Sequence, residues 1–347
     1  MADTLALVYW FEELGQEHND LVGKKCANLG EITKIGLPVP PGFALSVDAY
    51  QEFMKLTGAA QEIKDYLSKS ASGSIDIKQF QEMSVAIRKI VEAKAMPREI
   101  EEVIVSHYTE LSRRCHTAEV AVSTRSAGPV SHPGQYETHL NVKGRSDLIE
   151  KVRKVWSSSF NPRSLSFRHQ QGMPLESDPI GVAVMKMVNA RAAGVGFTID
   201  PNTGDNSKII IEAHWGLGES VVSGAVTPDH YVINKDSLAI EETMIAVKQF
   251  EIVSDAEKGT CQRPVPAEKQ QAPCLNQDEL MRLAELGKKL EVYFGSAQDF
   301  EWAIDPTLAF PDNVLLVQSR PVKKAPAAKA PMDEIVDLMV ERALRHY

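Results

Sequence analysis

The sequence predicts an α+β fold in two lobes. Three observations carry that expectation. Residues 60 to 115 are helical in pattern, the chain turns to short strands from Ile180 onward, and a strand pair from Ala297 to Val322 closes the β-rich half. The expected parts are residues 1–190, holding a helical region and a Gly/Pro/Ser loop, residues 191–322, holding the closing strand pair, and a tail over residues 323–347.

In chain order, residues 4 to 10 read as a strand ending in Trp10. Gly23 then reads as a turn before a helix from about Lys25 to Ile35. Gly36 stops that helix, and Pro38, Pro40 and Pro41 prevent its return. GFALSV reads as a strand, with Ser46 or Asp48 capping the helix after it. The helical region breaks near Gly73 and Pro97, and its charges, such as Glu99 and Arg113, form a solvated face. AEVAVSTRSAGPVSHPGQYETHLNV is strand, loop, strand. Residues 146 to 171 return to helix, with Trp156 and Phe160 in the core. GVAVMKMV, GVGFTID, KIIIEAHW, DHYVINK and TMIAVKQFEIV then read as strands, followed by a helix from about Gln277 to Tyr293. The tail reads as a linker, Lys323 to Pro331, and an amphipathic helix with Ile335, Leu338 and Met339 on one stripe.

Composition narrows the function classes. A hydrophobic content of 43% and a charged content of 24% are ordinary for a water-soluble globular chain. The net charge of −9 argues against a general binder of nucleic acid or of anionic membranes, yet leaves room for a local basic pocket. Cys26, Cys115, Cys261 and Cys274 have no zinc or redox spacing, so reduced thiols in a cytoplasmic protein are expected. No apolar run reaches membrane-spanning length, and the acidic start is not a secretory signal.

Four segments carry candidate chemistry. Gly23-Lys24-Lys25 opens a helix, and a helix N-terminus with a lysine suits phosphate. The loop from Thr124 to Gln135 has glycines, hydroxyls and Arg125 after a strand, so its backbone N–H groups can lie over phosphates, although it lacks Walker spacing. A strand ending at Gly216 and Gly218 suggests a tight turn with close backbone approach. In the closing strand pair, Glu301 lies on one strand, and Gln318 and Arg320 share a face of the other. Oxygens from Glu and Gln suit a hard cation that keeps phosphate and water ligands, and the arginine offers phosphate a fork. A cross-strand ion pair of Glu301 with Arg320 is the competing reading.

Taken together, these segments resemble the N-terminal nucleotide-binding domain of the phosphoenolpyruvate synthase and pyruvate phosphate dikinase family, from about Asp20 to Val322. Val22 to Gly30 matches the family's V-G-G-K-x-A-x-L-G motif. Arg125 to Thr138 is similar to its short R-S-G-x-x-x-S-x-P-G loop. GLGESVVSGAVTPD, FEWAID and Gln318-Ser319-Arg320-Pro321 follow in the family's order.

The resemblance implies an ATP-grasp fold clamping ATP between two lobes, with ATP and Mg2+ as cofactors. It implies that Lys25 and Arg125 hold phosphates, that Gly134 and Thr138 lie along the nucleotide, that Glu301 and Gln318 bind the metal, and that Arg320 reaches the phosphates. One position departs. Relatives commonly carry V-Q-K-M-V in the strand lining the adenine, and this chain has Val184-Met185-Lys186-Met187-Val188, so Met185 offers the base packing but no side-chain hydrogen bond. Fused relatives continue into a domain whose histidine carries the phosphoryl group. No histidine here has that G-G-x-x-[ST]-H setting; Ser131-His132 is a superficial candidate, and His214 and His230 read as structural. The expectation is therefore an ATP-binding subunit of a dikinase-type phosphotransferase. It would pass the β-phosphoryl group to a histidine on a separate phosphocarrier subunit, which binds the small-molecule acceptor. Phenylphosphate synthase is the nearest named fit. A split phosphoenolpyruvate synthase or pyruvate phosphate dikinase, or a direct small-molecule kinase, is the alternative.

Overall fold

The computed structural model describes residues 6–70, 76–128, 136–255 and 259–322. Gly134, the Ser131-His132 pair and the expected tail helix lie outside these residues.

Two antiparallel sheets and a ribbon organise the chain. The first sheet runs β1 (Val8–Trp10), β2 (Gly42–Leu45), β5 (Gly181–Lys186), β3 (Val122–Ala127), β4 (Thr138–Val142) from edge to edge. The second runs β13 (Val314–Pro321), β12 (Gln298–Ile304), β6 (Ala192–Phe197), β7 (Lys208–Trp215), β8 (Asp229–Asn234), β9 (Ile240–Met244). The two-stranded ribbon is β10 (Phe250–Asp255) with β11 (Gly259–Pro264). Helices α1 (Asn19–Val22) and α2 (Lys24–Lys34) follow β1; α3 (Val47–Leu56), α4 (Ala59–Ser70), α5 (Ile77–Ala93) and α6 (Arg98–Arg114) fill the helical region. Helices α7 (Arg145–Ser157) and α8 (Pro162–Gln170) precede β5, a single turn α9 (Glu219–Val222) follows β7, and α10 (Gln277–Phe294) precedes β12.

Local chemistry accounts for the helix ends. The Ala49 N–H donates to Ser46 Oγ at 3.2 Å, which starts α3. Reciprocal capping pairs, Asp76 with Gln79 and Asn276 with Glu279, start α5 and α10. Gly295, at φ 65°, ends α10 in the left-handed region.

Strand alternation then sorts side chains between two cores. On β5, Val182 and Val184 join one apolar cluster with Tyr50, Phe53, Trp156 and Phe160. Ala183 and Met185 face the other way, into a cluster with Leu29, Trp215, Phe300 and Trp302. Trp156 and Phe160 are fully buried, as their sequence setting predicts. Each such side chain contributes about 1.5–3 kcal/mol of hydrophobic stabilisation. Helix α2 packs on β3 and β5 of the first sheet and on β13 of the second, so it bridges the two sheets.

One sequence-based strand is corrected. TMIAVKQFEIV reads as continuous, but β9 ends at Met244 and β10 begins at Phe250. Between them the Lys248 side chain turns inward to a buried Asp229, and a strand cannot alternate through that insertion. Segment β10 leaves the sheet and pairs with β11, residue 253 opposite residue 261. Among the described residues no helix is long and apolar enough to cross a membrane.

Candidate nucleotide site

A cavity of about 470 Å³ opens between the two sheets, within the range of small-molecule sites. Its wall is drawn from α2, β3, β4, β5, β6, β12, β13 and the segment around α9. Five basic side chains (Lys24, Lys25, Arg125, Lys186, Arg320) line it against two acidic ones (Glu219, Glu301). That is a basic hollow in a chain of net charge −9.

Lys25 reaches the cavity because α2 begins against the end of β3. The Lys24 N–H donates to Gly128 O at 3.1 Å. Gly23, at φ 80°, permits the approach; a Cβ there would stand 2.1 Å from Ala127 O. Farther along α2, the Asn28 side-chain amide donates to Ser319 O at 2.8 Å and ties the helix to β13. Among the described residues the Lys25 ammonium has no hydrogen-bond or ion-pair partner. Burial, then the neighbouring Arg125 charge, lowers its pKa from 10.5 to about 8, with Glu301 opposing. A cation held without a partner is a receptor for an anion.

Strands β12 and β13 bring the oxygen donors together. Glu301 and Gln318 are direct cross-strand partners, with a register shift between Glu301 and Trp302. Arg125 lies on β3 in the other sheet. Its Nη2 donates to Glu301 Oε2 at 2.7 Å and to Gln318 Oε1 at 3.2 Å, and its Nη1 donates to Val317 O at 3.3 Å. Burial pushes the Glu301 carboxyl up, but Arg125, Lys25 and Arg320 outweigh it and leave the pKa below the usual value. Glu301 is thus an anion at neutral pH.

Arg320 corrects the competing reading of the strand pair. It does not pair with Glu301. Its Nε donates to Asp299 Oδ2 at 2.7 Å, and Asp299 sits directly opposite it. Asp299 was missed, although it lies two residues before Glu301 on the same face of β12, a period-2 signal the sequence carries. Burial raises the Asp299 pKa despite Arg320. Lys186 was also missed as a cavity residue, while Lys24, part of the Gly23-Lys24-Lys25 segment, does line the cavity.

Thr138 and Met185 also line the cavity, and Met185 is 4% exposed within the apolar cluster. Gly134 lies outside the described residues. His214 is buried, with Nδ1 3.1 Å from Trp215 O, and His230 stands 3.5 Å from Glu212.

For a divalent cation, the donor set can be tested on this geometry. Two side-chain oxygens from adjacent strands converge on one point, now held by the Arg125 Nη2. No group of three His, Cys, Asp or Glu suited to a metal exists among the described residues. The pair fits a hard cation that takes its remaining ligands from phosphate and water.

Residues 19–338 match the pyruvate phosphate dikinase, AMP/ATP-binding domain family. The chain is 38% identical to a probable phosphoenolpyruvate synthase of Staphylothermus marinus, covering 90% of this chain and 41% of that protein. It is 35% identical to a probable phosphoenolpyruvate synthase of Methanocaldococcus jannaschii, covering 97% and 29%. It is 36% identical to a phosphoenolpyruvate synthase of Aeropyrum pernix, covering 95% and 44%. The chain spans less than half the length of these curated relatives. With its α+β architecture and ATP-grasp-like arrangement of two lobes, the chain belongs to the pyruvate phosphate dikinase AMP/ATP-binding domain family.

Proposed function

We propose that this chain binds ATP with Mg2+ in the cavity between the sheets and presents the β-phosphoryl group for transfer to a histidine, with AMP and phosphate as products. The observation that carries the reading is the convergence of Lys25, Arg125, Glu301, Gln318 and Arg320, from four separate elements, on one basic cavity. In this reading Lys25, Arg125 and Arg320 hold the phosphates, while Gly134 and Thr138 lie along the nucleotide. Met185 packs on the base. Glu301 and Gln318 hold the cation, which supplies charge neutralisation to the polyphosphate. Phosphoryl transfer needs positioning and electrostatic stabilisation more than covalent help from protein groups, and these residues are of the types that supply both.

The accepting histidine lies on another region of a longer polypeptide or on a second chain. As for the final acceptor, the names of the relatives favour chemistry of the phosphoenolpyruvate synthase kind over phenylphosphate synthesis from phenol. A direct small-molecule kinase is the reading to beat. Incubation with ATP labelled at the β-phosphate separates the three. Label on a histidine of an added phosphocarrier domain, with AMP formed, supports the proposal. Dependence on pyruvate or on phenol then names the acceptor. ADP formed with a small molecule and no phosphocarrier would overturn it.

A further inference from the structure

We infer that Arg125 is the resident counter-cation of the Glu301–Gln318 oxygen pair and makes divalent-cation binding conditional on nucleotide. The inference rests on the nucleotide reading above and deepens it. In the structure one guanidinium nitrogen occupies the point where both side-chain oxygens converge, at 2.7 and 3.2 Å. A cation entering there must displace a charged group that is 14% exposed from a carboxylate that is 12% exposed. Gln318 is neutral, and no group of three His, Cys, Asp or Glu suited to a metal exists among the described residues to compensate the loss.

This pose of Arg125 is also incomplete. Its Nε is buried with no hydrogen-bond partner among the described residues, while Nη1 and Nη2 are engaged. A phosphate can take Nε and an Nη together in the fork that guanidinium prefers. Polyphosphate therefore draws the side chain off the two oxygens and satisfies the orphaned N–H in the same movement. The freed oxygens then face a cation that arrives with phosphate ligands of its own. Because linkage is reciprocal, each ligand tightens the other by the same factor. The device keeps the site from filling with metal alone, which would cancel the charge that holds Glu301 for the nucleotide complex.

The test uses the full chain and Mn2+ alone, with free Mn2+ read by electron paramagnetic resonance and no nucleotide present. Arg125→Met removes the charge and all donors. It should bind Mn2+ about tenfold tighter than the wild type, a coupling of ordinary size. Adding Glu301→Gln should abolish the gain. Arg125→Ala, checked like the first by its melting curve, serves as the second variant. Equal Mn2+ affinity in wild type and variants overturns the inference, as does a gain that survives Glu301→Gln. Binding of a fluorescent ATP analogue to the wild type is measured in parallel. A wild type that binds nucleotide while Arg125 has no effect on Mn2+ sinks this inference alone; a wild type that binds no nucleotide sinks the functional reading beneath it.

Discussion

Two ion pairs in this molecule, one fully buried and one part-buried, differ in how completely they are satisfied. Asp229 and Lys248 have side chains with no solvent exposure. The Asp229 carboxylate accepts from the Lys248 ammonium, from the Ala246 N–H at 3.0 Å and from the Cys274 N–H at 2.9 Å. Lys248 also donates to Ala246 O at 2.9 Å. The pair stitches β8 to the segment between β9 and β10 and to the approach to α10. Arg125 and Glu301 border the cavity instead, and among the described residues Arg125 Nε has no partner. A buried charge pair is tolerated when its remaining valences are filled by hydrogen bonds. The first pair meets that condition and leaves no room for a ligand. The second does not, and its two residues line a cavity.

The largest expected effect breaks the closed pair. Lys248→Ala leaves the Asp229 carboxylate buried and unpaired and should cost about 3–5 kcal/mol of stability, read from the denaturant midpoint. Nucleotide affinity of the protein that remains folded should not change. A loss below about 1 kcal/mol would mean that the pair is not the anchor described here.

The open pair should behave in the opposite way. Glu301→Gln keeps the shape and should leave the denaturation midpoint nearly unmoved, yet cut AMP formation by about 100-fold, the scale for losing a preorganised charge stabiliser. Normal turnover in that variant would remove Glu301 from the site.

A subtler separation uses pH. The pKa of Lys25 is about 8 in the folded chain against 10.5 for the free side chain. Between those values the unfolded chain holds the extra proton, so the Lys25 contribution makes stability rise with pH across that window. Phosphate prefers the ammonium, so nucleotide affinity should fall as pH rises through about 8. Lys25→Met should flatten both trends relative to wild type. Lys248 does not line the cavity, so Lys248 variants should keep the wild-type affinity profile. Parallel affinity profiles for wild type and Lys25→Met would refute the assignment of Lys25 to phosphate.

The smallest effect concerns the base. Met185 gives the ring contact without a side-chain hydrogen bond. Met185→Gln should raise the preference for ATP over GTP by up to about tenfold, the worth of one hydrogen bond. An unchanged ratio in competition binding would mean that backbone groups read the base.

The sequence alone determined whatever depends on neighbours within a few residues. The capping pairs at Asp76 and Asn276, the stop at Gly295 and the alternation of β12 and β13 are all local encodings. Period 2 is enough to put Gln318 and Arg320 on the same face of β13, whereas the pairing of Glu301 with Gln318 needed the register, which shifts between Glu301 and Trp302. The recurring motifs from Val22 to Pro321 identified the family because their order and spacing survive translation into a linear string. Tertiary structure decided which charges meet. Arg125 joins Glu301 across 176 residues, Arg320 chooses Asp299 over Glu301, and Lys248 turns inward to Asp229 where periodicity predicts unbroken strand. Each of these depends on how two sheets and a shared helix pack, and on which carboxylate then lies within hydrogen-bond reach of each cation. Coulombic attraction does not name its partner in advance; distance and desolvation in the packed chain do.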